Sequence, residues 1–181
     1  MASLKSLTAL EELWLSAPRL ETLAPLGSLV GLTYLGLGDG LGHKADLHAE
    51  LARLGGRLPR LKNLAVFDSP HNTSYLRDFP RVEWLAISAR GTRAFDLRGV
   101  ALLPQLADLE VHGGEVKHLA SLGRARSLKS VMIESNVAVS PREVEALRRA
   151  RPKLLISRKP PPSFDDVPLD DLDDDDDDDD F

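Results

Sequence analysis

The side chains best suited to chemistry in this chain fall at alternate positions of short apolar segments. Trp14 stands between Leu13 and Leu15, Trp84 precedes Leu85, and Asp108, Glu110 and His112 flank Leu109 and Val111. Tyr34, Phe67 and Glu134 sit in equivalent places beside Leu35, Val66 and Ile133. Aromatic rings exposed on a sheet are interface anchors, and carboxylates beside them steer and orient a cationic partner. The candidate binding set is therefore Trp14, Tyr34, Phe67, Trp84, Asp108, Glu110, His112 and Glu134. Cross-strand packing that merely stabilises the sheet is the competing reading for the two tryptophans.

Catalytic chemistry finds little support. The chain has no cysteine, which removes a thiolate zinc site, a cysteine nucleophile and a disulfide framework together. Of the five histidines, His43 and His48 stand five apart and His112 lies near Glu110, but His71 and His118 are isolated and no HExxH occurs. Gly36, Gly38, Gly40 and Gly42 lack the Lys-Ser/Thr of a phosphate loop. No Ser-His-Asp arrangement can be argued from spacing. The expectation is a protein that is not an enzyme and carries no cofactor or metal.

The elements that must position the set are repeats. Leucines recur as LxxLxxLxL, most clearly at Leu7, Leu10, Leu13, Leu15, Leu20, Leu23 and Leu26, with the next unit opening at Leu29. Further pairs stand at Leu35/Leu37, Leu64/Val66, Leu85/Ile87, Leu109/Val111 and Val131/Ile133, and counted from Leu13 the first members are 22, 29, 21, 24 and 22 residues apart. Leu154/Ile156 reads as a truncated seventh copy. A period in the low twenties marks a solenoid whose units cannot bury their own apolar faces alone. Leu13-Trp14-Leu15-Ser16 is a period-2 strand with its leucines turned to the core.

Over roughly residues 4 to 157 the chain resembles the leucine-rich repeat family, in particular its short bacterial class with units near 22 residues. The resemblance implies an α/β solenoid: a concave parallel sheet of six to seven short strands, with short helices or turns on the convex side. It implies recognition of another macromolecule, since the ligase activity of some relatives resides in a separate cysteine domain. The family's asparagine, three residues after the second strand leucine, is replaced here by Pro18, Gly40, Ser69, Arg90 and Gly114, and only Asn136 fits. A less regular, more sheared stack is expected.

Two segments read as α-helix. DLHAELARL at 46–54 places Leu47, Leu51 and Leu54 on one face before Gly55-Gly56, and accounts for the 29-residue unit. Ser140-Pro141-Arg142-Glu143 has the form of a capping box, and VEALRRAR follows until Pro152 halts it. With the strand LLIS this unit serves as a C-terminal cap, whereas no N-terminal cap is evident. The expected organisation is a repeat domain over 1–158 and a Pro-rich, poly-Asp disordered tail over 159–181.

Charge divides the chain the same way. Twelve aspartates lie between Asp165 and Asp180, so the rest carries 23 basic against 16 acidic residues. The inner wall departs from this basic average. Four positions in each of six repeats contribute six carboxylates, both tryptophans and no Lys or Arg. Such a wall argues against nucleic acid there, because phosphate binding needs cations, and for a protein partner with a basic, partly apolar surface. An immunity or regulatory role follows as one form of this reading. The alternative is nucleic-acid binding through a basic convex face that includes Arg53, Arg57, Arg60, Arg77 and Arg81, autoinhibited by the acidic tail. The tail, through Phe164–Pro168 and terminal Phe181, is also similar to acidic C-termini of bacterial and phage single-stranded-DNA-binding proteins. No apolar stretch approaches the roughly 20 residues that cross a bilayer, and a cytoplasmic setting without membrane contact is expected.

Overall fold

The computed structural model describes residues 6–16, 22–38, 47–67, 69–88 and 94–160. Seven strands form one parallel sheet: β1 (Glu12–Leu15), β2 (Tyr34–Leu37), β3 (Asn63–Val66), β4 (Trp84–Ser88), β6 (Asp108–His112), β8 (Ser130–Glu134) and β10 (Leu155–Lys159), in that spatial order. Each apolar pair aligns with the next. Leu13, Leu35, Leu64, Leu85, Leu109 and Val131 share one buried column, and Leu15, Leu37, Val66, Ile87, Val111 and Ile133 the other. From Leu35 to Ile133 these residues are at most 1% exposed. The sheared stack expected from the missing asparagines does not occur: register runs unbroken, because the aliphatic columns set it. Asn136 itself is exposed and contributes no buried amide.

Opposite the sheet, 3₁₀ turns at Ala24–Ser28, Thr73–Asp78, Val100–Leu102 and Leu119–Arg124 alternate with helix α1 (Leu47–Gly55). Helix α2 (Pro141–Ala150) closes the stack. The spacing that leads from turn to strand is a tight turn in which the amide of Leu32, Leu61, Val82 or Leu128 donates to the carbonyl three residues earlier at 3.1–3.2 Å. A second parallel sheet, which the periodicity does not foretell, joins β5 (Ala94–Asp96), β7 (Glu115–Lys117) and β9 (Ala138–Val139) along the descending limbs of the later repeats.

The last repeat corrects the sequence reading. The pair aligned with Val131/Ile133 is Ile156/Arg158, and Leu154 lies before the strand. Leu154 donates to the Arg151 carbonyl at 3.0 Å, so it occupies the turn position of Leu128, yet the strand begins one residue after it rather than two. One missing residue reverses the parity of everything beyond it. Arg158 therefore arrives in an aliphatic column and turns its guanidinium out to the Val137 carbonyl at 2.7 Å. Arg151 closes the same end, donating to the carbonyls of Ala125 and of Leu128, the latter at 2.7 Å. The strand ends at Lys159, one residue beyond the expected boundary, and the proposed tail falls outside the described residues apart from Lys159 and Pro160.

The capping box at α2 does not form. Ser140 makes no side-chain cap, and the Glu143 carboxylate reaches a neighbouring repeat instead, accepting from the buried Leu119 amide at 2.8 Å. Tertiary need overrides the local motif here: a buried amide without a partner costs more than a frayed helix start. Glu143→Ala should cost about 1–3 kcal/mol in urea denaturation, and Glu143→Gln, which keeps an acceptor, markedly less.

Tyr75 is the other buried polar anchor. It is 1% exposed, shares a 3.0 Å hydrogen bond with Ser69 Oγ, and meets His48 and Phe79 edge-on. Burial pushes its phenol well above the ordinary 10.0, against a smaller opposing effect of Ser69. Below that value both folded and unfolded chains hold the proton. Above it the unfolded chain releases its proton first, so stability is lost as pH rises. The slope is about 1.4 kcal/mol per pH unit for this one group. Alkaline denaturation of wild type beside Tyr75→Phe checks this: the variant should lose stability less steeply above pH 10.

Candidate functional site

Strand register carries the predicted residues onto the outer face of the seven-stranded sheet. Glu12, Tyr34, Asn63, Trp84, Asp108 and Ser130 form one column, and Trp14, Gly36, Ala65, Ala86, Glu110 and Met132 the next. Ser88 and His112 pair in a third, which Glu134 and Lys159 continue. Both tryptophans point away from the leucine core: Trp14 is 54% exposed and Trp84 half-buried. In the fourth column Ala17, Asp39, Asp68 and Ala89 lie outside the described residues.

The rings lean along the ladder and meet two strands away. Trp14 passes over Gly36, where a Cβ would sit 2.1 Å from Trp14 Cε3, and reaches Phe67 with centroids 5.5 Å apart. Tyr34 reaches over the Asn63 strand to stack on Trp84 at 6.2 Å and 25°. Phe67 reaches over the Ser88 strand to His112 at 6.1 Å. Small residues beneath make this possible: Ala65 and Ala86 are nearly inaccessible under the rings. Burial, and secondarily the charge of Glu12, hold the Tyr34 phenol above its ordinary range.

Carboxylates lock the far end. Trp84 Nε1 donates to Glu110 Oε1 at 3.2 Å, and Glu110 Oε2 faces His112 Nε2 at 3.5 Å. His112 Nδ1 lies 2.8 Å from Glu134 Oε1, a contact that needs the proton on Nδ1 because an ionised carboxylate only accepts. Glu134 also accepts from the Gly113 amide at 3.2 Å, where Gly113 adopts φ 60°, and is itself buried. Ring contacts and hydrogen bonds thus join Trp14, Phe67, His112 and Glu134 in one group and Tyr34, Trp84 and Glu110 in another, and the 3.5 Å approach of Glu110 to His112 brings the two together. Asp108 stands beside them and accepts from Ser130 Oγ at 2.6 Å.

Two features lay beyond sequence reasoning. The parity change in the last repeat brings Lys159 opposite Glu134, a cation at the margin of a wall that six repeats leave without one. The glycine and alanines of the second column are a floor for the rings, for which their small size was the available signal. The other described histidines take no part: His48 pairs with Ser74 Oγ at 3.0 Å, His71 with the Ala94 carbonyl at 2.6 Å, and His118 has φ 60° ahead of a 3₁₀ turn. His43 lies outside the described residues. Among the described residues no group of three or more His, Asp or Glu is placed to hold a metal, and no helix is long and apolar enough to cross a membrane.

No family model and no curated protein matches the chain. Solved structures do. TLR13 in its complex with ssRNA13 shares 18% identity and a TM-score of 0.64 over 85% of this chain. An internalin (inlF) from Listeria monocytogenes strain 4b F2365 shares 20% at 0.54 over 88%, and an LRR protein from Leptospira interrogans 19% at 0.58 over 86%. At these identities the likeness is one of fold, and the fold is a leucine-rich repeat solenoid. The chain covers 23%, 52% and 38% of those three chains.

Proposed function

We propose that the concave side of the sheet, opposite the leucine core, binds a protein segment that is basic and partly apolar, with the chain acting as an immunity or regulatory partner in the cytoplasm. The observation that carries this reading is the ring cluster itself: half-exposed aromatic area, held in place before any ligand arrives, bordered by Glu110 and Asp108. Preorganised rings lose little freedom on binding, which is why Trp and Tyr dominate interface energetics. Trp14, Tyr34, Phe67 and Trp84 are the anchors. Asp108 and Glu110 steer the cation, while Glu134, spent on His112 and Gly113, orients the imidazole.

The test is affinity capture with wild type beside a Trp14→Ala/Trp84→Ala variant, followed by titration of the purified partner. A basic partner that binds wild type and is lost by the variant supports the reading. Equal binding by both removes the face from the interaction.

A second reading has its own observations. Arg57, Arg60 and Arg81 are exposed and outside any ion pair among the described residues, and one fold neighbour, TLR13, was solved in complex with ssRNA13. If the convex side bound nucleic acid under control of the tail, deletion of 165–181 would create salt-sensitive RNA or DNA binding. The protein-recognition reading expects none.

A further inference from the structure

We propose that the C-terminal end of the solenoid is an acceptor for the chain's own acidic segment, Phe164 to Leu172. Among the described residues β10 is the last strand of the stack, and there the second core column is broken. Arg158 occupies the position that Leu37, Val66, Ile87, Val111 and Ile133 fill in earlier strands, and its guanidinium leaves the column for the Val137 carbonyl. What remains is an apolar cleft of about 380 Å³ walled by Ile133, Val139, Pro141, Val144 and Ile156. Val139, Val144 and Ile156 are only partly buried against the core, so the cleft is unfinished apolar surface of the kind the next repeat would cover.

Its charge selects the occupant. Arg148 and Arg158 border the cleft. Glu145, the carboxylate among the lining residues, is held by Arg149 at 3.3 Å, and Arg148 has no carboxylate partner among the described residues. The matching ligand is a short peptide with apolar and acidic residues closely interspersed and no Lys or Arg. Phe164-Asp165-Asp166-Val167-Pro168-Leu169-Asp170-Asp171-Leu172 has that composition. It begins five residues beyond Lys159, whose neighbour Arg158 borders the cleft. The twelve residues from 161 to 172 have a contour length of about 40 Å, long enough to turn back over the opening. Phe164, Val167 and Leu169 then fill the cleft while Asp165, Asp166 and Asp170 face the two arginines. The aspartate run from 173 onward is left outside the contact.

The test uses the full chain, labelled at the methyls of Ile, Val and Leu, and compares wild type with Phe164→Ser/Val167→Ser/Leu169→Ser by NMR. Resonances of Ile133, Val139, Val144 and Ile156 should shift, and those of Leu35 and Leu64 should not. The absence of cysteine permits a single nitroxide at Asp170→Cys. It should broaden Val144 and Ile156 strongly, and much less when the three serines are also present or in an Arg148→Glu background. Unchanged cleft methyls in the triple variant, or equal broadening with and without it, would show a tail that is tethered yet undocked and overturn the proposal. Cleft shifts that grow with protein concentration and persist in the triple variant would assign the cleft to a second copy, which also overturns it.

Discussion

Gly99→Ala is expected to destabilise the fold by about 3 kcal/mol, although it adds a single methyl group. A Cβ at Gly99 would lie 2.2 Å from the Thr73 carbonyl oxygen, 2.4 Å from its carbon and 2.6 Å from its hydroxyl. These are backbone and pinned atoms. Thr73 is wholly buried, and its hydroxyl donates to the Asp96 carbonyl at 2.5 Å, beside the bridge that joins Asn72 to Asp96. No rotamer change relieves such a contact, so two neighbouring repeats must move apart or the intervening turn must deform. Gly56 supplies the internal control. A Cβ there meets nothing within 4 Å and its φ needs no glycine, so Gly56→Ala should gain about 0.4–1 kcal/mol by restricting the unfolded chain. Urea titrations of the two variants should move the midpoint in opposite directions at unchanged slope. A tolerated Gly99→Ala would mean that the repeats do not approach as closely as described.

Trp84→Ala should weaken the proposed partner complex by about 2 kcal/mol or more, roughly 30-fold in affinity. The size follows from position. Trp84 stacks on Tyr34, donates to Glu110, and through Glu110 touches the His112–Glu134 pair, so its truncation removes contact area and releases the ring and carboxylate that it holds. Trp84→Phe separates these effects: it keeps most of the ring area and removes the N–H that fixes Glu110. A loss near that of alanine would place the weight on carboxylate positioning; a small loss would place it on the ring. Trp84 lies outside the leucine core, so the urea midpoint should fall much less than for a core truncation such as Leu109→Ala, at about 2–5 kcal/mol. Full affinity in a folded Trp84→Ala protein would remove Trp84 from the site.

Much of the molecule can be read from its residues because strand side chains alternate with a period of two. Once Leu35/Leu37 and their equivalents are recognised, Tyr34, Trp84, Asp108, Glu110 and His112 must lie on the opposite face, and the structure places them there. Helix α1 was legible for a similar reason, since Leu47, Leu51 and Leu54 repeat at helical spacing and all are buried. The capping box was legible and did not form, because Glu143 had a buried amide within reach that local sequence does not reveal.

Column membership and the two-sided character of the sheet are thus properties of the sequence itself, dictated by covalent alternation and by leucine's aversion to water. Contacts between side chains of different repeats belong to the tertiary structure. Trp14 meets Phe67 across Gly36, Tyr34 meets Trp84, and His112 meets Glu134 because stacked strands bring residues 22 to 53 positions apart within ring or hydrogen-bond range, and rotamers then select among neighbours. The last repeat shows the boundary most plainly. One residue fewer in a turn leaves the leucine pattern readable, yet only the hydrogen-bond register decides that Arg158 enters the core column and Lys159 the opposite, solvent-facing side.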